Sequence, residues 1–218
     1  MTAPLDIEFV SDIACPWCLV GLRNLEAALG ETAGEIEADI RFSPFELNPD
    51  MPGEGMDRAA YFAEKYRLPE SEAKARVEAI REAAAETGFT MNSGPGFRIL
   101  NTFDAHRLLE WAGEAGHQRQ LKHALFDAYF RDRRDISDAG ELAEIAQAAG
   151  LDRARAIRIL ESEEYEEQVR DAEARHRARG IAAVPTAIVA GRYRINGAHP
   201  PERYAKALRH IAGEVAAA

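Results

Sequence analysis

Leu5-Asp-Ile-Glu-Phe-Val-Ser-Asp-Ile-Ala-Cys-Pro-Trp-Cys18 is the stretch on which the reading of this chain turns. Leu5 to Val10 alternates apolar and acidic positions, so Leu5, Ile7 and Phe9 share one face, as in a strand with one side on a core. Ser11-Asp12 ends it. From Pro16 the period lengthens, with Cys18, Leu22, Leu25 and Leu29 on one face of a helix and Gly30 as a stop. Both cysteines of the chain therefore fall where a strand hands over to a helix. With Cys15 as N-cap, Pro16 takes the first helical position, where its missing N–H costs nothing. The Cys15 sulfur then meets the free N–H groups and positive dipole end of the helix, which favour a thiolate at an accessible position. Cys18, nearly one turn on, continues the leucine face and is expected to be the more buried, resolving thiol.

Outward from this unit, Ile36 to Phe42 alternates again and predicts a second strand, parallel to the first. Ser43 to Gly55 holds three prolines and reads as a loop. Between about Met56 and Gly180 nearly every stretch has helical periodicity. Helices are expected over Asp57 to Arg67, Glu70 to Thr87 and Thr102 to Ala115, the last opened by a capping box of Asn101 and Asp104. Further helices carry Leu121 to Ala128, Leu142 to Ala149, Asp152 to Leu160 and Ser162 to Arg179. After Gly180 strands return: one entered through Pro185, a turn at Gly191-Arg192, and Tyr193 to Asn196 as its hairpin partner. A helix from Pro201 closes the chain. The expectation is an α/β protein with residues 1–51 and 180–218 in one domain and an all-helical domain, residues 52–179, inserted.

The composition narrows the function classes. The 218 residues are 46% hydrophobic and 29% charged, which suits a globular chain with a substantial core. A net charge of −10 argues against nucleic acid or an anionic membrane as partner. No apolar run is long enough to cross a bilayer, and the first residues carry no basic, then apolar, leader, so a cytoplasmic location is expected. Two cysteines exclude a multi-disulfide scaffold and a four-thiolate zinc site. The six histidines, His106, His117, His123, His176, His199 and His210, show no zinc-finger spacing, so no metal is expected. A C-x-x-C pair at a strand-to-helix junction points instead to dithiol–disulfide chemistry without a tightly bound cofactor.

The chain resembles the thioredoxin superfamily, in which a cis-proline opens a strand opposite the C-x-x-C pair, and the order β-α-β, insert, β-β-α matches. The resemblance narrows to the DsbA family, where a helical insert interrupts a thioredoxin-like fold. Cys15-Pro-Trp-Cys18, Pro44 to Pro49, Asn101 to Leu108, Gly180 to Thr186 and Asn196 to Pro200 are similar to its FrnE-type branch. The resemblance implies a disulfide oxidoreductase or isomerase with Cys15, Cys18 and Pro185 as catalytic residues. Pro16, Trp17, Val184 and Asn101 would contact a thiol or disulfide substrate, and an unidentified reducing partner would recycle the pair. Kappa-class glutathione transferases and 2-hydroxychromene-2-carboxylate isomerases are related but carry serine in place of Cys15. They supply the alternative, a glutathione-dependent transferase or isomerase with glutathione as co-substrate, and the prospect of a homodimer. Ser11 and Asp12 fit two roles, ending the strand or relaying a proton to Cys18. Asn101 and His106 likewise read as a cap and a packed side chain, or as neighbours of the site.

Overall fold

The alternating apolar positions of the N-terminal stretch form the central strand of the sheet. In the computed structural model, which describes residues 5–217, β1 (Leu5–Ser11) buries Leu5, Ile7 and Phe9. Residues 1–4, at the head of the expected first segment, and residue 218, the end of the C-terminal alanine run, lie outside the described residues. β2 (Ala38–Pro44) runs parallel to β1, with Ile40 opposite Ile7 and Phe42 opposite Phe9. On the other side β5 (Thr186–Val189) pairs antiparallel with β1, and β6 (Tyr193–Asn196) pairs antiparallel with β5. The sheet order is β2-β1-β5-β6. Towards its C-terminal end β1 is buried on both faces: Phe9 joins the main core, while Val10 packs with Phe45, Ile181 and Ile188 in a smaller cluster. That doubly covered end is where the cysteine motif begins.

α1 (Pro16–Glu31) follows at once and packs against α9 (Pro201–Ala216). It ends at Thr32 rather than at Gly30, because the Thr32 N–H and hydroxyl both donate to the Ala28 carbonyl at 3.0 Å. The intervening segment holds α2 (Arg58–Tyr66), α3 (Glu70–Glu86), α4 (Phe103–Glu114) and α5 (Gln118–Phe126), which runs on into a π-helical turn (Asp127–Arg131). α6 (Ala139–Ala148), α7 (Arg153–Leu160) and α8 (Glu166–Ala178) complete it. Asp57, Asp138 and Asp152 cap α2, α6 and α7 by accepting from backbone N–H groups.

Three local readings change. Two-residue strands β3 (Met56–Asp57) and β4 (Arg98–Ile99) form an antiparallel ribbon inside the helical segment, too short to leave a period in the sequence. The capping box at Asn101 does not form: Asn101 Oδ1 accepts from Phe103 N at 2.9 Å, and Asp104 pairs with Arg107 at 2.7 Å instead of reaching back. α8 starts later than Ser162, since Tyr165 sits in the left-handed region at φ +66°. The main core is continuous, running from Leu5 and Leu22 through Leu108 and Leu125 to Ile145 and Ile159, so sheet and helices hold one another in place. At the sheet edge the Gln118 amide accepts from Phe42 N and donates to Phe42 O, occupying β2 backbone groups that a free edge would expose.

Candidate active site

Pro16 at the first turn of α1 leaves Cys15 in an extended N-cap conformation, with φ −88° and ψ 111° and no side-chain cap. The Cys15 sulfur lies 3.9 Å from the Val184 carbonyl oxygen. Both thiols are free. Cys18 is fully buried, and Cys15 is 4% exposed, so the accessible sulfur expected from the sequence is reached only from the cavity it lines. Burial, and then the neighbouring Cys15, push the Cys18 thiol well above the ordinary cysteine value, with the Lys122 ammonium pulling the other way.

The Val184–Pro185 peptide is cis, and Pro185 presses against the first helix. A Cβ on Gly21 would come within 2.9 Å of Pro185 Cγ, closer than side chains tolerate, so glycine at this helical position is what admits the proline. The Pro185 carbonyl accepts from Gly197 N at 2.8 Å, which ties the β5 entrance to the end of β6.

Beneath the cysteines lies a buried polar cluster. Asp12, 1% exposed, accepts from Ala14 N at 3.1 Å and from Leu47 N at 2.7 Å, bracing both the motif and the loop after β2. Burial alone would raise its pKa, but His106, 3.8 Å away, and the two backbone N–H groups hold the carboxyl below the usual aspartate value. Burial in turn pushes His106 below the usual histidine value, against the pull of Asp12. At neutral pH the pair is a carboxylate beside a neutral imidazole. Lys122 is fully buried, has no hydrogen-bond partner for Nζ among the described residues, and lies 4.8 Å from the Phe126 ring centre. Burial lowers it to about 8, with Cys18, Asp12 and Cys15 drawing it back up. Further along the loop, burial and Glu173 raise Glu46 to about 7, while Arg170, at 2.6 Å, works against them.

A cavity of about 390 Å³ opens over Cys15. Trp17 and Pro16 form one wall, α2 and α3 contribute Tyr61, Phe62, Val77 and Ile80, and Met91 and Phe97 come from the segment between α3 and α4. Cys15, Pro16 and Trp17 thus come together in the cavity, with the Val184 carbonyl beside the sulfur. Asn101 is not among the residues lining it; its amide donates to the Met51 carbonyl and accepts from Phe103, so it braces a loop. Lys122, Glu46, Arg58 and the aromatic residues of α2 were not singled out from the sequence. For Lys122 a signal existed: it stands at i−4 and i−7 to Phe126 and Tyr129, on an apolar face. Among the described residues, no three His, Cys, Asp or Glu side chains gather as a metal site.

The family model described as DSBA-like thioredoxin domain matches residues 6–209. Among curated proteins the uncharacterized protein YwbO of Bacillus subtilis (strain 168) is 28% identical over 203 residues, covering 93% of this chain and 94% of that protein. A crystal structure described as a probable DsbA oxidoreductase from Streptomyces coelicolor is 30% identical, with a TM-score of 0.91 over 96% of this chain and 91% of that one. The cytosolic disulfide reductase DsbM from Pseudomonas aeruginosa, solved with GSH, shares the fold with a TM-score of 0.64 at 17% identity, over 98% of this chain and 100% of that one.

Proposed function

The chain belongs to the DSBA-like thioredoxin domain family, and on that premise we propose that it is a thiol–disulfide oxidoreductase or isomerase exchanging disulfides through Cys15-Pro-Trp-Cys18. The observation that carries this reading is the placement of the Cys15 sulfur at the start of α1, open to a cavity, with Cys18 buried one turn behind it. As a thiolate, Cys15 attacks one sulfur of a substrate disulfide; a Cys15–substrate bond forms and the other substrate sulfur leaves as a thiolate. Cys18 then gives up its proton and attacks Cys15, releasing the second substrate thiolate and closing the Cys15–Cys18 disulfide. Val184 and Pro185 shape the approach to the sulfur, and the buried Lys122 cation offsets the charge as Cys18 deprotonates. Two electrons pass to the substrate, and a reducing partner or glutathione returns them. The glutathione carried by DsbM supports glutathione as that co-substrate, and its description as cytosolic supports a cytoplasmic setting.

The cavity favours a second reading, a glutathione-dependent isomerase or transferase with a small substrate beside Cys15. Titration against glutathione redox buffers, with alkylation of the remaining thiols, separates the two. A single two-electron transition with an intramolecular disulfide is expected, together with loss of exchange in Cys15→Ser and accumulation of mixed disulfide in Cys18→Ser. Cys15 found only as a glutathione adduct, with turnover retained in Cys18→Ser, would replace the exchange reading by the isomerase one.

A further inference from the structure

The charge of the cavity runs against the charge of the chain. The protein carries a net −10, yet the cavity wall holds Arg58 and Arg76 and no Asp or Glu. Arg58 Nη2 donates to the Ser93 carbonyl at 2.6 Å, and its guanidinium lies 5.2 Å from the Phe97 ring centre. Its neighbour in sequence, Asp57, turns its carboxylate to the N–H groups of Ala59 and Ala60, and among the described residues Arg58 forms no ion pair. Burial already pushes the guanidinium below the usual arginine value. Beside it Ser93, 6% exposed, lines the cavity with a buried hydroxyl that has no hydrogen-bond partner among the described residues. Among the described residues the half-buried guanidinium has the Ser93 carbonyl alone as acceptor and the Ser93 hydroxyl has no partner, and a carboxylate meets both in the geometry that guanidinium groups favour.

The other dimensions of the ligand follow from Cys15 and the apolar lining. Cys15 is 4% exposed, so its sulfur is met inside the cavity and not on an open face. About 390 Å³ lies at the small end of the roughly 300–1,000 Å³ typical of small-molecule sites. Tyr61, Phe62, Met91 and Phe97 offer an apolar body little to hydrogen-bond and much to pack against.

We infer that the cavity takes a small aromatic thiol or disulfide bearing a carboxylate, with its sulfur at Cys15 and its carboxylate at Arg58 and Ser93. The inference rests on the exchange role proposed for Cys15. For such a disulfide the balance is one substrate disulfide plus the reduced pair giving two aryl thiols plus the Cys15–Cys18 disulfide, so a single turnover needs no further reagent.

The test is calorimetric titration of the fully reduced protein, kept in dithiothreitol, with 4-mercaptobenzoate, 4-mercaptobenzamide and glutathione. Mercaptobenzoate is expected to bind at least about tenfold more tightly than its amide, the margin of one charge-assisted contact, and Arg58→Met is expected to erase the difference. Arg76→Gln, at the exposed rim, provides a second variant that leaves the Ser93 contact in place. Equal affinity for acid and amide in the unmodified protein, or tighter binding of glutathione than of the aryl thiol, overturns the inference. A second measurement separates it from the exchange reading: reduced protein is mixed with the disulfide of 4-mercaptobenzoate and the released thiol is counted. Two thiols released per chain without acid preference would sink the ligand assignment and keep the exchange reading. Acid preference with one thiol released and a stable mixed disulfide would sink the exchange reading and keep the ligand.

Discussion

Replacing Lys122 with methionine should make the protein more stable while damaging the proposed exchange chemistry. The side chain is fully buried, Nζ has no hydrogen-bond partner among the described residues, and the ammonium is held at about 8 instead of 10.5. That fall corresponds to about 3 kcal/mol spent on keeping the charge in the fold at neutral pH. The sign follows from proton counts. Between about pH 8 and 10.5 the unfolded chain keeps the proton and the folded protein has released it, so the lysine's penalty is full below about 8 and fades as pH rises towards 10.5. Methionine fills a similar volume with no charge to desolvate, and exchanges of this kind commonly gain about 1–4 kcal/mol. Urea denaturation of both proteins is the assay, with a stability gap of on the order of 3 kcal/mol expected at neutral pH and narrowing above about pH 8. In the same variant Cys18 loses its opposing cation, so alkylation of Cys18 in Cys15→Ser protein should shift to higher pH. A variant less stable than the parent, or a gap independent of pH, would refute the reasoning.

Two other perturbations test the surroundings of the site. Gly21→Ala, ordinarily a gain of about 0.5–1 kcal/mol inside a helix, should here cost about 1–3 kcal/mol, because the new methyl meets Pro185 at 2.9 Å; thermal unfolding gives the sign, and exchange assays should show slowed turnover. For Glu46, raised to about 7 from 4.5, the folded protein holds a proton that the unfolded chain has released, so its contribution is present below about 4.5 and lost as pH rises through about 7. Glu46→Gln, which mimics the protonated form, should therefore gain on the parent between about pH 5 and 8 by on the order of 2–3 kcal/mol in denaturant titrations, and parallel pH profiles would contradict this.

What the sequence made legible is what periodicity and local chemistry write into neighbouring residues. Leu5, Ile7 and Phe9 announced β1 and Pro16 announced the start of α1, because each signal is complete within a few residues. The two-residue strands at Met56 and Arg98 were not legible, since their pairing joins segments about forty residues apart and involves no alternation. Asn101 shows a different failure. Its spacing to Asp104 permits a capping box, but Arg107 competes for the aspartate and wins with a charged pair. At the site, the cysteines were legible as a motif, whereas Arg58, Ser93 and Tyr61 acquire meaning only when α2 and the segment before α4 close over Cys15. Nothing in their local sequence distinguishes them from surface residues.

Burial ties the polar cluster to the proposed redox pair more tightly than proximity alone would. Cys18 is raised by loss of solvent, and the same loss of solvent lets Lys122 act on Cys18, and Asp12 on Lys122, through a medium that screens poorly. When the reduced pair carries a thiolate, the ammonium has an anion to answer; when the pair closes to a disulfide, that anion disappears and Asp12 remains as a buried counter-charge. Oxidation therefore weakens the hold of Lys122 on its proton, and by reciprocity the charge state of Lys122 must bias the pair, the ammonium favouring the dithiol form and the free amine the disulfide. Asp12 cannot take over the adjustment, because its carboxylate is already committed to Ala14 and Leu47 and sits below its ordinary pKa. An unpaired lysine that costs stability is thus a group whose protonation is free to follow the electrons.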